Sequence, residues 1–428
     1  MALNIHLSAL GCRLNEAELN QWATEFTSKG HKITQSTDDA DVFILNSCAV
    51  TAEAVRKSRQ QLSKMHRDSP SAKIIATGCF ATLEPERAMD CGVDLVVANA
   101  DKSQLVAQTE SMFDLDSAPA MAMEPEATLF ARGRSRAFIK IQDGCRHRCS
   151  FCIVTVARGE EVSRPIDDII KEINALYAVG IREIVIAGVH VGGYGSDLDT
   201  DLKALVEAIL AKTDVPRIRF ASVEPWNLPE GFFELFTNPR VMPHMHLPLQ
   251  SGSNSVLKRM ARRCRTEDFA ELVATARASH PNFNITTDII CGFPGETEQE
   301  FADSLAFIES MNFGHIHVFP YSKREGTGAA RMPNHLDNAT KKQRVKEVEM
   351  LAKQSRQNNH RSLLGQQDRV LLENRTTNDA DGRPLRFGYT CNYLRVAVKG
   401  TTEAGQIIDV RIDRLDASGE YLVAGQEV

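Results

Sequence analysis

The stretch AFIKIQDGCRHRCSFC (residues 137–152) decides how the rest of the chain is read. Its first part, AFIKIQ, is a short apolar run of the kind that forms a strand buried on both faces of a parallel sheet. Its second part places Cys145, Cys149 and Cys152 in a C-x3-C-x2-C loop directly after that strand. Similar runs follow at EIVIAGV (183–189), RIRFAS (217–222), HMHLPL (244–249), ITTDII (285–290) and HIHVFP (315–320), separated by helical patterns such as IDDIIKEINALYAVG (166–180). Six βα units in succession predict a parallel sheet that closes into a full or partial barrel, with ligand-binding groups at the C-terminal ends of the strands.

Outward from this core, the first hundred residues also alternate strands and helices. IHLSALG (5–11), DVFILN (41–46), KIIATG (73–78) and DLVVAN (94–99) read as parallel strands. Leu19, Trp22, Ala23 and Phe26 place one apolar face on a helix that Gly30 is positioned to end. The stretch 113–136, FDLDSAPAMAMEPEATLFARGRSR, reads in part as linker. Beyond residue 365, short alternating strands with Gly and Asp turns predict a small all-β barrel of the OB type. The expected fold class is therefore α/β: an N-terminal open parallel sheet domain over 1–115, a (βα)6 partial barrel over 131–362 and a β-barrel over 365–428.

The 428 residues are 43% apolar and 25% charged, with a net charge of −6. That composition excludes disordered and collagen-like chains, and no run is long enough for a membrane span. The first 20 residues lack the features of a secretory signal, so a cytoplasmic location is expected. A nucleic-acid partner would have to meet local basic patches.

Ten cysteines are many for a chain from a reducing compartment and point to metal or redox chemistry. Cys145, Cys149 and Cys152 are spaced to wrap one iron–sulfur cube, and three ligands for four irons leave one iron open. Zinc is the rival, with His147 as a fourth ligand. Cys12, Cys48 and Cys79 each fall just beyond an N-terminal strand, in LSALGC, FILNSC and IIATGC. The C-terminal strand ends of an open parallel sheet share one edge, so these three are either a second ligand trio or buried free thiols. Cys91 precedes a strand and is read as core.

The C-x3-C-x-aromatic-C loop, with Phe151 before the last cysteine, resembles the radical S-adenosylmethionine superfamily. The longer pattern of ALGC, LNSC and ATGC, followed by HLPLQSGS (246–253), TDIICGFPGET (287–297) and FPYSKREGTGAARMP (319–333), resembles its methylthiotransferases. GVHVGGYG (188–195) and SVEP (222–225) look like the branch that modifies N6-threonylcarbamoyladenosine in tRNA. Thr155 stands where relatives usually carry proline, while Arg158 and Gly159 are retained.

This resemblance implies replacement of the adenosine C2 hydrogen beside the anticodon by a methylthio group, a C–H bond inert to acid–base chemistry. It implies two [4Fe–4S] clusters, on Cys145/Cys149/Cys152 and on Cys12/Cys48/Cys79, and S-adenosylmethionine as methyl donor and radical source. It also implies a tRNA anticodon loop as substrate, a low-potential donor such as flavodoxin or ferredoxin, and a C-terminal RNA-binding module of the TRAM type. The same chemistry on isopentenyladenosine or on a ribosomal-protein aspartate are alternatives, as is a zinc-containing RNA-binding protein.

Gly192, Gly193, Gln250, Ser251 and Asp288 are candidates for contacting S-adenosylmethionine, as is Ser253 beside Ser251; Glu224, just after the third strand, is a strand-end carboxylate that a turn would also explain. His244/His246 and His315/His317 have period two, so each pair shares a strand face, and are read as barrel-lining histidines with hydrogen-bond partners rather than a second metal site. Lys258, Arg259, Arg262 and Arg263, then Lys341, Lys342 and Arg344, form basic runs suited to phosphates. Arg383, Arg386 and Arg395, with Phe387 and Tyr393, are the RNA-contact candidates of the C-terminal module.

Overall fold

The computed structural model describes residues 2–113, 135–379, 382–400 and 402–426, so most of the expected linker lies outside the described residues. The N-terminal strands are β1 (Asn4–Ala9), β2 (Lys32–Ile33), β3 (Val42–Ser47), β4 (Lys73–Thr77) and β5 (Leu95–Val97). They form one parallel sheet in the order β2-β1-β3-β4-β5. β3, the sequence VFILNS, is buried at every position, as a central strand covered on both faces must be. The helix Arg13–Ser28 buries Leu19, Trp22, Ala23 and Phe26 against this sheet. Thr51 starts the helix Ala52–Asp68 by accepting a hydrogen bond from the Ala54 amide. The two-residue edge strand β2 is too short to leave a periodic signal.

The central strands are β6 (Arg136–Lys140), β9 (Glu183–Ala187), β10 (Arg217–Phe220), β11 (His244–His246), β12 (Asn284–Cys291) and β13 (His315–Pro320); a short hairpin, β7 (Gln142–Asp143) with β8 (Val162–Ser163), follows β6. β6-β9-β10 and β11-β12-β13 each pair in parallel. Parallel bridges Ile218↔Val241 and Ser222↔His246 join the two sets, giving six strands in chain order, and β6 and β13 do not pair. The six-strand reading of the sequence is thus found as an open, curved sheet. Its open side is covered by the helix Arg13–Ser28, whose Ala17 packs with Phe138, Val185 and Ala221.

The last strands, β14 (Gln367–Asn378), β15 (Pro384–Tyr389), β16 (Arg395–Lys399), β17 (Ile407–Leu415) and β18 (Leu422–Gln426), close into a barrel in the order β14-β15-β16-β18-β17. A 25-residue helix, Asn338–Ser362, leads into it and is capped by Asp337, which accepts from the Ala339 and Thr340 amides. The barrel sits under the N-terminal ends of the central strands. Arg217 donates to the carbonyls of Arg369 and Tyr389, Arg219 to that of Cys391, and Asn284 to that of Asn392.

Candidate active site

Two glycines explain how the N-terminal cysteines come together. Gly11 has φ +95°, and a Cβ there would lie 2.5 Å from Cys48 Sγ. Gly78 has φ +89°, and a Cβ would lie 2.3 Å from the Ser47 carbonyl oxygen. Both conformations and both close approaches require glycine, so the G-C pairs at 11–12 and 78–79 are structural necessities. The sheet order puts the reversal of strand order between β1 and β3, where open α/β sheets collect ligands. Cys12 and Cys48 flank that point. Asn15 pins both loops: its Nδ2 donates to the carbonyls of Leu10 (2.8 Å), Asn46 and Ser47 (both 3.3 Å), and its Oδ1 accepts from Cys12 Sγ at 3.5 Å.

Cys48 and Cys79 are buried and Cys12 is exposed at the wall of a large cavity. Burial, reinforced by the neighbouring thiols, pushes Cys48 up to about 11, and the protein enclosing the cavity raises Cys12 in the same way although the cavity leaves its surface open. Burial likewise pushes Cys145 to about 12 and Cys152 to about 11 and raises Cys149, each of the first two with its companion thiols as a further cause. Cys12, Cys48, Cys145, Cys149 and Cys152 therefore favour the protonated thiol when free. A soft metal must displace those protons to bind, and three thiols on neighbouring loops are a donor set suited to iron–sulfur ligation.

The second loop is clamped by its surroundings. The Ser150 amide donates to the Met260 carbonyl at 2.9 Å, and Ser150 Oγ to the Arg259 carbonyl at 2.8 Å. Thr155 Oγ1 donates to the His147 carbonyl at 2.9 Å, so the residue at the expected proline position ties the helix Val154–Arg158 back to the loop. Arg262 lies over the Trp226 ring at 4.3 Å, pairs with Glu224 at 2.7 Å and reaches Cys149 Sγ at 3.8 Å. His147 Nε2 accepts from Trp226 Nε1 at 3.3 Å, while its Nδ1 is buried without a partner.

The trios share a frame. The helix Val154–Arg158 begins two residues after Cys152 and docks on the N-terminal domain, where Asn99 Nδ2 donates to the Ala157 carbonyl at 2.6 Å and approaches Cys79 Sγ at 4.0 Å. The cavity, about 810 Å³, is lined by Cys12, Cys48 and Cys79, by lumen residues of the central strands, and by Tyr389, Tyr393 and Arg395 of the C-terminal barrel.

The structure sorts the remaining candidates. Asp288 faces the lumen and pairs with His246 Nε2 at 3.2 Å. Burial opposes its ionisation, but His246, His317 and Arg262 outweigh burial and lower its carboxyl. His244 and His246 both hydrogen-bond Thr286 Oγ1, and all four His-x-His histidines line the cavity. Gln250, at φ +75°, and Ser251 are buried in the turn after β11. Gly193 packs on the His190 ring and Gly192 near the Trp226 carbonyl, so packing accounts for both; Gly188 and Val189 are the residues of that turn that reach the cavity.

Three basic candidates need correction. Arg262 is buried beside Cys149, and Arg344 is buried against Glu296 (2.6 Å) and Glu298 (2.5 Å). Arg259 is held by Glu300 at 2.7 Å. Charge runs reveal composition but not direction: Arg262 and Arg344 point inward, and Arg259 is half-buried in its ion pair. Lys258, Arg263 and Lys342 are exposed, and Lys341 is half-buried over the Tyr321 ring. Arg386 donates to the Glu373 carbonyl and Arg383 is exposed. Lys353 and Arg356, on the long helix beside β13, border a groove next to the cavity and were legible only as part of its charge run.

Residues 139–308 match the Radical SAM superfamily and residues 4–98 the uncharacterized protein family UPF0004. The chain is 37% identical to "Threonylcarbamoyladenosine tRNA methylthiotransferase MtaB" of Chlamydia pneumoniae, with 96% of each chain covered. It is 34% identical to the protein of that name from Bacillus subtilis (94% and 92% covered). It is 32% identical to "tRNA-2-methylthio-N(6)-dimethylallyladenosine synthase" of Bacillus licheniformis (95% and 83% covered). In fold it is similar to the radical S-adenosylmethionine methyltransferase TsrM of Kitasatospora setae, with TM-score 0.56, 15% identity and 75% of each chain covered. By these full-length likenesses the chain belongs to the tRNA methylthiotransferase family of the radical SAM superfamily.

Proposed function

We propose that the protein is a tRNA methylthiotransferase that converts N6-threonylcarbamoyladenosine at position 37 to its 2-methylthio derivative. The observation that carries this reading is the single cavity shared by Cys12, Cys48, Cys79 and the barrel lumen. Cys145, Cys149 and Cys152 would hold one [4Fe–4S] cluster, with S-adenosylmethionine at its open iron, and Cys12, Cys48 and Cys79 a second. Bound there, the clusters supply one-electron reduction of the sulfonium and a soft site for the incoming sulfur.

The chain's own residues do the rest. The helix Arg13–Ser28 covers the open side of the sheet and limits water access, which protects a reactive radical. The target base must leave its stack to enter, as with other base-modifying enzymes. The cavity wall favours an acidic substituent. Arg395 stacks on Phe387 at 3.8 Å, has no acidic partner among the described residues and carries a buried, unpaired terminal nitrogen. A threonylcarbamoyl carboxylate satisfies that nitrogen, whereas an isopentenyl group gains nothing from it. A low-potential flavodoxin or ferredoxin would supply the electrons, and the C-terminal barrel would act as a TRAM-like RNA contact.

Anaerobically reconstituted protein, given tRNA bearing either modification, tests the reading by mass spectrometry of nucleosides. The expected product is 2-methylthio-N6-threonylcarbamoyladenosine. Methylthiolation of the isopentenyl substrate alone would overturn the substrate assignment.

A further inference from the structure

Beside the N-terminal trio lies a buried charge cluster that the chemistry above does not use. Glu18, 2% exposed, takes Lys102 at 2.6 Å, Lys140 at 2.9 Å and Arg158 at 3.0 Å. Asp143 takes Lys140 at 2.5 Å and Arg158 at 2.9 Å. Three cations face two carboxylates, so one positive charge is left over. Burial opposes ionisation of Glu18, yet the three cations hold its carboxyl well below the usual range. The carboxylates are fully engaged, and the excess cation has no counter-charge in the cluster. Leaving a buried charge uncompensated is strongly unfavourable.

The position of the cluster indicates what compensates it. Arg158 lines the same cavity wall as Cys12, Cys48 and Cys79. Its Nη2 donates to Asn15 Oδ1 at 2.8 Å, and Asn15 is the residue that pins the Cys12 and Cys48 loops. Lys102 Nζ reaches Asn46 Oδ1 at 3.3 Å, two residues from Cys48. Three thiolates around a cube with a 2+ core carry one net negative charge, which matches the excess in sign and size.

We propose that Glu18, Asp143, Lys102, Lys140 and Arg158 form the counter-charge of the N-terminal cluster, raising its reduction potential, with Arg158 also fixing its loops against the helix that follows Cys152. The inference rests on the reading of Cys12, Cys48 and Cys79 as cluster ligands. These five are tuning and positioning residues that touch no substrate.

The test uses the full-length chain carrying Cys145→Ala, Cys149→Ala and Cys152→Ala, in which any remaining cube is the N-terminal one. Its potential is followed by redox titration with electron paramagnetic resonance at matched iron content. Lys102→Met removes a cation without touching the Arg158–Asn15 bond, and should make the cluster harder to reduce by about tenfold in the one-electron equilibrium, about 59 mV. Glu18→Gln should shift the potential the opposite way, a sign reversal that loosened packing would not produce. Equal potentials, or shifts in the same direction, would overturn the counter-charge role. A parent chain that binds no iron would instead overturn the second cluster itself, and the hub's role with it.

Discussion

Replacing Glu183 by Gln should loosen the floor of the cavity. Glu183 is fully buried at the start of β9, 3.1 Å from Arg219 and 3.7 Å from both Arg136 and Arg217. Burial opposes its ionisation, but the three guanidinium groups bring its carboxyl down to about 2 from an ordinary value of 4.5. A depressed carboxylate contributes stability above its unfolded value, and loses it as pH falls from about 4.5 to about 2. At roughly 1.4 kcal/mol per unit, that difference is worth about 3 kcal/mol at neutral pH. Breaking a buried ion cluster by removing one partner costs roughly 3–5 kcal/mol, in the same range. Because Arg217 and Arg219 hold the C-terminal barrel by its carbonyls, the loss falls on the docking of that barrel. Urea unfolding at pH 7 should show the folded-to-unfolded ratio falling by about two decades in Glu183→Gln. Below pH 4.5 the gap between variant and wild type should narrow. An unchanged midpoint at pH 7, or a gap that does not depend on pH, would refute the argument.

Other expectations follow from the same geometry. Cys145→Ala should abolish reductive cleavage of S-adenosylmethionine, read as release of 5′-deoxyadenosine, whereas Cys48→Ala should retain that release and lose the methylthio product; normal product from Cys48→Ala would remove the second trio from the sulfur chemistry. Reversing Lys342 and Lys353, both exposed, to Glu should weaken tRNA binding and flatten the log–log salt dependence by roughly 0.7–0.9 for each phosphate no longer neutralised; an unchanged slope would place the RNA elsewhere. His360 is 2% exposed, and burial together with Arg356 lowers it to about 4, so its contribution is present above pH 6.5 and lost as pH falls toward 4. Thermal unfolding between pH 7 and pH 5 should therefore be less pH-dependent in His360→Gln than in the wild-type chain.

Much of this architecture is visible before any coordinates, because its signals are local. Buried parallel strands are continuous apolar runs, and the C-x3-C-x2-C loop lies within eight residues. The N-terminal trio is harder to see, since its members are 36 and 31 residues apart in sequence and meet only through the sheet order. What marks two of them is the glycine before Cys12 and Cys79, demanded by left-handed turns and close backbone approach. The Glu18 cluster is not legible, because Lys102 and Arg158 are 84 and 140 residues away from it. Nor does a basic run reveal that Arg262 and Arg344 turn inward, since direction depends on the acidic partners Glu224, Glu296 and Glu298 from other elements. Thr155 is a departure whose compensation, a hydroxyl bonded to the His147 carbonyl, exists only in the folded loop.

The central proposal is that each cysteine trio holds a cube, the N-terminal one at the wall of the cavity that also takes in the barrel lumen. Iron and acid-labile sulfide counted in anaerobically prepared protein, with and without Cys12→Ala, Cys48→Ala and Cys79→Ala together, address this most directly. The expected values are about eight irons per chain falling to about four. About four irons in both preparations, or stoichiometric zinc without sulfide, would contradict it.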